Sequence, residues 1–216
     1  MRLVIFGVSN MLGDIFDCAL AQRLTPSLIV MNCPEVIRPR TKSVAERVKL
    51  LPAPPKIIDI EIFEPRQGEC YFLGTTSPSR QLLVDDIRTR FGIVCCSLIH
   101  PGAYVSPLAS LGDGVFVGAG SVIAPGSNVG NHVFISRNVT VGHDAVIEPY
   151  ANLRVGSNVG GHTRVGQNAI IGMGANVIEE LVIGENAFVG AGAVVLQDVA
   201  DRTLVVGVPA KFKKHL

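Results

Sequence analysis

The chain has 216 residues, enough for one large domain or two small ones, and either size buries a core without staples. Nineteen Lys and Arg against 18 Asp and Glu leave a net charge of +1, and no lysine stands between Lys56 and Lys211, so the clustered cations of a nucleic-acid groove are missing. Hydrophobic residues make up 48% and mean hydropathy is +0.39, yet no apolar run approaches the ~20 residues of a membrane helix, and the excess is expected inside a soluble fold.

The opening Met1-Arg2-Leu3-Val4-Ile5-Phe6-Gly7 has no charged leader, long apolar stretch or cleavage site, so the expected compartment is the cytoplasm. Leu3 to Phe6 reads as a buried strand, followed by a loop at Gly7-Val8-Ser9-Asn10 and a helix from about Asp14 to Leu24. Leu28 to Met31 is a second strand. The six prolines between Cys33 and Gln67 imply loops, with a short strand near Ile57-Ile58. Tyr71 to Gly74 is a third readable strand, and Ser77-Pro78 is a cap and first-turn pair for a helix running to about Arg90. Alternating strands and helices predict a parallel sheet that binds ligands beyond the carboxyl ends of its strands. Three segments stand there: Gly7 to Met11, Asn32, and Gly74-Thr75-Thr76. Beside Asn32, Ser9 and Asn10 offer donors to an anion, and Arg80, on the first turns of the following helix, is expected to reach the same anion. Gly7 and Gly13 are separated by five residues, which is not a G-x-G-x-x-G fingerprint, so NAD is not expected.

Five cysteines (Cys18, Cys33, Cys70, Cys95, Cys96) form an odd set with no CxxC spacing. They read as reduced, buried thiols and not as a disulfide framework or a thiolate zinc site, with Cys95 and Cys96 packing inside the apolar run Ile93 to Ile99.

Composition then changes near residue 98: glycine rises from 5 in the first 98 residues to 18 in the remaining 118. From Ile99 to Val195 an aliphatic residue recurs every six positions, 17 times without a slip. A glycine follows nine of them directly, and four residues on from the aliphatic a Ser, Ala or Thr stands at 12 of the 16 positions up to Ala193. This period predicts a parallel β-helix. The small residue and the next aliphatic are two apart, so both face inward, and the intervening gap holds a corner whose strain the glycine is expected to relieve.

The hexapeptide array, the turn Val141-Gly142-His143-Asp144, the segment Gly190 to Val195 and the ending Gly207-Val208-Pro209-Ala210-Lys211 resemble the sugar-acetyltransferase family. The junction Leu98 to Ser106 is similar to that of its sialic-acid O-acetyltransferase and UDP-4-amino-sugar N-acetyltransferase branch. The resemblance implies an α/β Rossmann-like domain over residues 1–98 that binds a nucleotide sugar. After it comes a left-handed β-helix over 99–216, ending in a C-terminal tail. It also implies a homotrimer with acetyl-CoA between subunits.

His143 is then the general base, an assignment that histidine's ordinary pKa of about 6.5 suits, with Asp144 orienting its ring. The family often has a second, CoA-binding histidine where this chain has Asn152. Met173 and Ala191 match later CoA contacts, and Lys211, with Lys213 and Lys214, stands where a basic tail meets the CoA phosphates. Ser9-Asn10-Met11 replaces the family's Gly-Gly-His or Ser-Gly-His turn, and Asn32 replaces a frequent acidic residue, so a changed nucleotide or sugar preference is expected. Acetyl transfer to an amino group of a nucleotide sugar for surface glycans is the expected activity. Sugar O-acetylation, or a non-catalytic trimeric scaffold, is the alternative. His162 lies 19 residues after His143 and near it in the stack, whereas His132 falls on another face. No close His-x4-His pair is present, and no metal is expected.

Overall fold

The structure is a computed structural model that describes residues 1–37, 39–77 and 79–216. It separates into two compact units, Met1–Leu98 and Ile99–Leu216. Among the described residues no helix is long and apolar enough to cross a membrane.

In the first unit, strands β1 (Arg2–Phe6), β2 (Thr25–Met31), β3 (Lys56–Asp59) and β4 (Glu69–Leu73) form one parallel sheet in the order β3-β2-β1-β4. Helices α1 (Leu12–Ala21) and α3 (Arg80–Phe91) follow β1 and β4. Leu3, Val4, Ile5 and Phe6 are fully buried, as a continuous apolar run in a central parallel strand requires. β2 starts three residues before the predicted Leu28 because Thr25 and Pro26 stand opposite Arg2 and Leu3, and the β1–β2 register shifts between Leu3 and Val4. That shift leaves Ser27 out of the register, and the Ser27 hydroxyl donates to the Leu3 carbonyl. The proline-rich stretch, whose prolines imply loops, also holds a helix, α2 (Val44–Val48), started by a capping box between Ser43 and Glu46. The Ser43 N–H and hydroxyl hold the Glu46 carboxyl below the usual carboxylate range. The first residue flanking α3 is Ser79, not Ser77, and Pro78 lies outside the described residues.

The cysteine expectation is corrected in part. Cys70 of β4 and Cys96 are joined as a disulfide, bringing the segment after α3 back to the sheet, where the Cys96 N–H also donates to the Tyr71 carbonyl. An unpatterned spacing carries no sign of a pair that only the fold makes adjacent. Cys18 and Cys95 are buried and Cys33 is exposed, all three outside the disulfide.

The second unit is a coil of two-residue strands, β5 (Leu98–Ile99) to β21 (Val194–Val195), one for each hexapeptide. Strands 18 residues apart pair in parallel and build three sheets. The second residue of each strand points inward, as do the small residues two positions earlier, for example Ala145, Ser157 and Thr163. Two of these buried hydroxyls are satisfied within the coil, Ser121 donating to the Ser136 carbonyl and Thr163 to the Ile178 carbonyl, whereas the Ser157 hydroxyl has no hydrogen-bond partner among the described residues. Strands β22 (Thr203–Val206) and β23 (Lys211–His215) close the end as an antiparallel hairpin, so the basic segment is a paired strand and not a loose tail.

The glycine expectation is corrected too. The glycines directly after the aliphatic residues do not have positive φ. A Cβ on Gly142, Gly160 or Gly172 would sit 2.4–2.6 Å from a backbone nitrogen of the next coil, so these glycines exist for close coil approach. Positive φ falls two residues later, at Gly126, Asp144, His162 and Glu180 among others.

Candidate functional site

In the first unit, Gly7, Ser9, Asn32 and Gly74 converge at the carboxyl edge. Gly7 has φ +69, and a Cβ there would meet Thr75 at 3.2 Å and the Asn32 Oδ1 at 3.3 Å. A Cβ on Gly74 would lie 2.2 Å from the Gly7 carbonyl oxygen, so the two loops touch through bare backbone. Ser9 clips them together: its hydroxyl donates to the Gly74 carbonyl at 2.8 Å and accepts from the Met11 N–H that opens α1. Asn10 is exposed, and its Oδ1 accepts from Arg47 at 3.1 Å. The sequence reading missed Arg47 because α2 was not recognised. Arg80 is 4% exposed and its guanidinium donates to the Thr76 and Ser77 carbonyls, so it braces the loop that it was expected to serve as an anion ligand. A depression of about 470 Å³ opens at the opposite, amino edge over Leu28, Ile58 and Phe63. It lacks the bare-backbone approach that distinguishes the carboxyl edge.

In the second unit, His143 and Asp144 occupy the corner between β12 (Thr140–Val141) and β13 (Val146–Ile147). Asp144 takes the left-handed conformation, φ +56, that Asp tolerates better than most residues. Its carboxylate lies where a Cβ on Gly126 would stand, 2.2 Å from Oδ1. From there Oδ2 accepts from the Nδ1–H of His143 at 2.9 Å. The His143 ring lies against Gly161 of the next coil, whose missing Cβ would be 2.8 Å from Nε2. His162 meets the same ring edge to face, with centroids 4.9 Å apart, and its Nε2 is 4.0 Å from the Asp144 Oδ2. Side chains of all three are more than half exposed. A carboxylate on Nδ1 fixes the tautomer and leaves the Nε2 lone pair as the basic site.

The remaining expected residues lie elsewhere. Met173 and Ala191 stack one coil apart on a different corner, where the Gly192 N–H donates to the Met173 carbonyl at 2.8 Å. The hairpin bearing Lys211 continues from the coil above them, Gly190 facing Val206. Arg137 and Arg154, not singled out from sequence, belong to this corner, and Arg154 stacks over the Phe188 ring at 5.3 Å. Asn152 is 6% exposed and sits in the ladder between Phe134 and Ile170, so it shares neither corner.

The sequence profile of bacterial transferase hexapeptide proteins (six repeats) matches residues 162–197. Among solved structures, the chain is similar to a histidine-to-asparagine variant of perosamine N-acetyltransferase from Caulobacter crescentus in complex with CoA and GDP-perosamine. The two share 30% identity over 99% of this chain and 97% of that one, with a TM-score of 0.83. It is also similar to the acetyltransferase domain of PglB from Neisseria gonorrhoeae FA1090 in complex with acetyl coenzyme A, at 25% identity over 98% of both chains and a TM-score of 0.82. WeeI from Acinetobacter baumannii AYE shares the fold at 16% identity, with a TM-score of 0.74 over 99% of this chain and 100% of that one. Among curated proteins none matches the sequence significantly. A left-handed parallel β-helix bearing an exposed histidine–aspartate corner, matched along its whole length, makes the chain a member of the hexapeptide-repeat sugar acetyltransferases, enzymes that use acetyl-CoA. Within that family it falls in the sialic-acid O-acetyltransferase and UDP-4-amino-sugar N-acetyltransferase branch.

Proposed function

We propose that the protein transfers acetyl from acetyl-CoA to an amino group of a nucleotide-linked sugar, with His143 as general base and no covalent enzyme intermediate. The observation that carries this reading is the His143–Asp144 pair, held at 2.9 Å on an open corner with the imidazole seated over Gly161. Acetyl-CoA supplies the activated acyl group. Nε2 of His143 accepts the proton that the sugar amine loses as it attacks, and Asp144 stabilises the imidazolium that results. That proton then goes to the departing thiolate, which leaves His143 neutral for the next cycle.

Met173, Ala191 and Lys211 are the proposed CoA contacts. They lie on a different corner from His143, so a complete site needs His143 of one chain and that corner of another, which supports a homotrimer. The first unit is proposed to be a Rossmann-like binding domain. Its carboxyl edge, with Gly7, Asn10, Asn32 and Gly74, receives the nucleotide sugar, while Ser9 and Arg80 hold the loops in shape. The solved relative that binds CoA and GDP-perosamine supports a nucleoside-diphosphate amino sugar as the substrate class. Thiol release from acetyl-CoA across a panel of UDP-, GDP- and dTDP-amino sugars tests the reading. One member should turn over with saturation, and release with none of them, or only with free amino sugars, would reject it.

A further inference from the structure

The corner that carries the base also assembles a set of metal-ligand atoms. One nitrogen of His143, one carboxylate oxygen of Asp144 and one nitrogen of His162 all lie within 4.8 Å of one another. The 19-residue spacing puts the two histidines near each other in the stack, but does not tell which of their atoms converge with the Asp144 carboxylate. The coil brings them together: Asp144 and His162 are 18 residues apart, share the same left-handed backbone conformation (φ +56 and +54), and so leave stacked coils in the same direction. Tetrahedral ligands about 2.1 Å from zinc stand about 3.4 Å apart. The two pairs on the Asp144 Oδ2, at 2.9 Å to His143 Nδ1 and 4.0 Å to His162 Nε2, straddle that spacing. Half-exposed imidazoles close the difference by rotation about the side-chain bonds.

We propose that His143, Asp144 and His162 bind a divalent transition-metal ion of the zinc class, and that the bound ion switches the general base off. Two imidazoles and one carboxylate suit zinc and cobalt, whereas magnesium and calcium favour all-oxygen shells. The inhibitory consequence rests on the reading of His143 as base, but the binding site does not. Neutral imidazole carries a single N–H, which in the pair is on Nδ1 and points at Asp144. When Nδ1 donates its electron pair to the metal, that proton moves to Nε2, and the ring has no lone pair left to accept a proton from an amine. If Nε2 ligates instead, the lone pair is consumed directly. His162 supplies the third ligand that the base and its aspartate lack, so it decides whether an ion is held.

The test uses the whole purified protein without substrate, titrated with Co²⁺ as a visible-absorption probe and then with Zn²⁺. Tetrahedral cobalt bands should saturate at one ion per chain and vanish as zinc displaces cobalt. The ring-proton resonances of His143 and His162, and not those of His100 or His215, should shift on zinc addition. His162→Asn should weaken binding about tenfold or more, with the circular dichroism spectrum unchanged. In the acetyl-transfer assay, zinc should inhibit the wild type reversibly with a chelator, and its midpoint should rise by a similar factor in His162→Asn. Binding that is unsaturable, or equal in His162→Asn and wild type, overturns the site. Saturable binding without any inhibition of a working enzyme overturns the switch. Binding as expected in a protein that acetylates no nucleotide sugar would reject the proposed function and leave the site standing.

Discussion

At the scale of single residues, the corner makes separable demands on His143, Asp144 and Gly161. His143→Ala should lower kcat by about 100-fold or more, the scale of a lost general base, with KM for acetyl-CoA little changed. Asp144→Asn should cost less, because an amide still occupies the space over Gly126 but does not stabilise the imidazolium. Gly161→Ala is a sharper probe: the three atoms nearest the new Cβ all belong to the exposed His143 ring, so turnover should fall about tenfold or more while thermal stability holds. Steady-state kinetics beside thermal melts checks all three. His143 and Asp144 were legible from their motif. Gly161 was not, because its importance is the absence of an atom where another coil's ring lies.

Individual elements show where local signals suffice. The four strands of the first unit were found as apolar runs, and their ends were missed by one to three residues where pairing with a neighbour extends them. The helix α2 is not evident from periodicity, because its five residues are too few to show one and only the Ser43–Glu46 capping box marks it among the prolines. Glycines in the two units obey different rules, and stability measurements will separate them. Gly13 lies in α1 with nothing within 4 Å of an added Cβ, so Gly13→Ala should raise stability by about 0.5–1 kcal/mol. Gly142→Ala places a Cβ 2.4 Å from the Gly161 nitrogen, so it should lower stability by about 1–3 kcal/mol and disturb His143 as well. Chemical denaturation of the two variants against wild type gives the comparison, and an equal change in both would contradict it.

For the whole molecule, the proposed site divides between corners that one chain keeps apart, so light scattering should give a stable trimer, and a fully active monomer would refute it. The thiols offer an independent check on the tertiary fold. Alkylation of the unreduced, denatured chain should label Cys18, Cys33 and Cys95 but not Cys70 or Cys96. In the native protein Cys33 should react first. Cys18 is buried and its pKa is pushed up to about 11, so it carries almost no thiolate at neutral pH, whereas Cys33 is exposed. Mass spectrometry of the labelled peptides reads both outcomes.

That the second unit is a parallel β-helix was legible in the sequence alone, because an aliphatic residue at every sixth position over 17 repeats gives each repeat the same inward side chain, whereas the hand and the number of sides came with the family resemblance. The pairing of His143 with Asp144 was legible too, because the partners are adjacent in the chain. What only the tertiary structure decided are relations between residues far apart in sequence. These are the Cys70–Cys96 link, the inward turn of Arg80 onto its own loop, the bare-backbone contact of Gly7 with Gly74, and the convergence of one atom each of His143, Asp144 and His162. Each depends on which atoms the coil or sheet places within a few ångströms, and a periodic pattern fixes a residue's face without fixing which side chain of the neighbouring coil it meets.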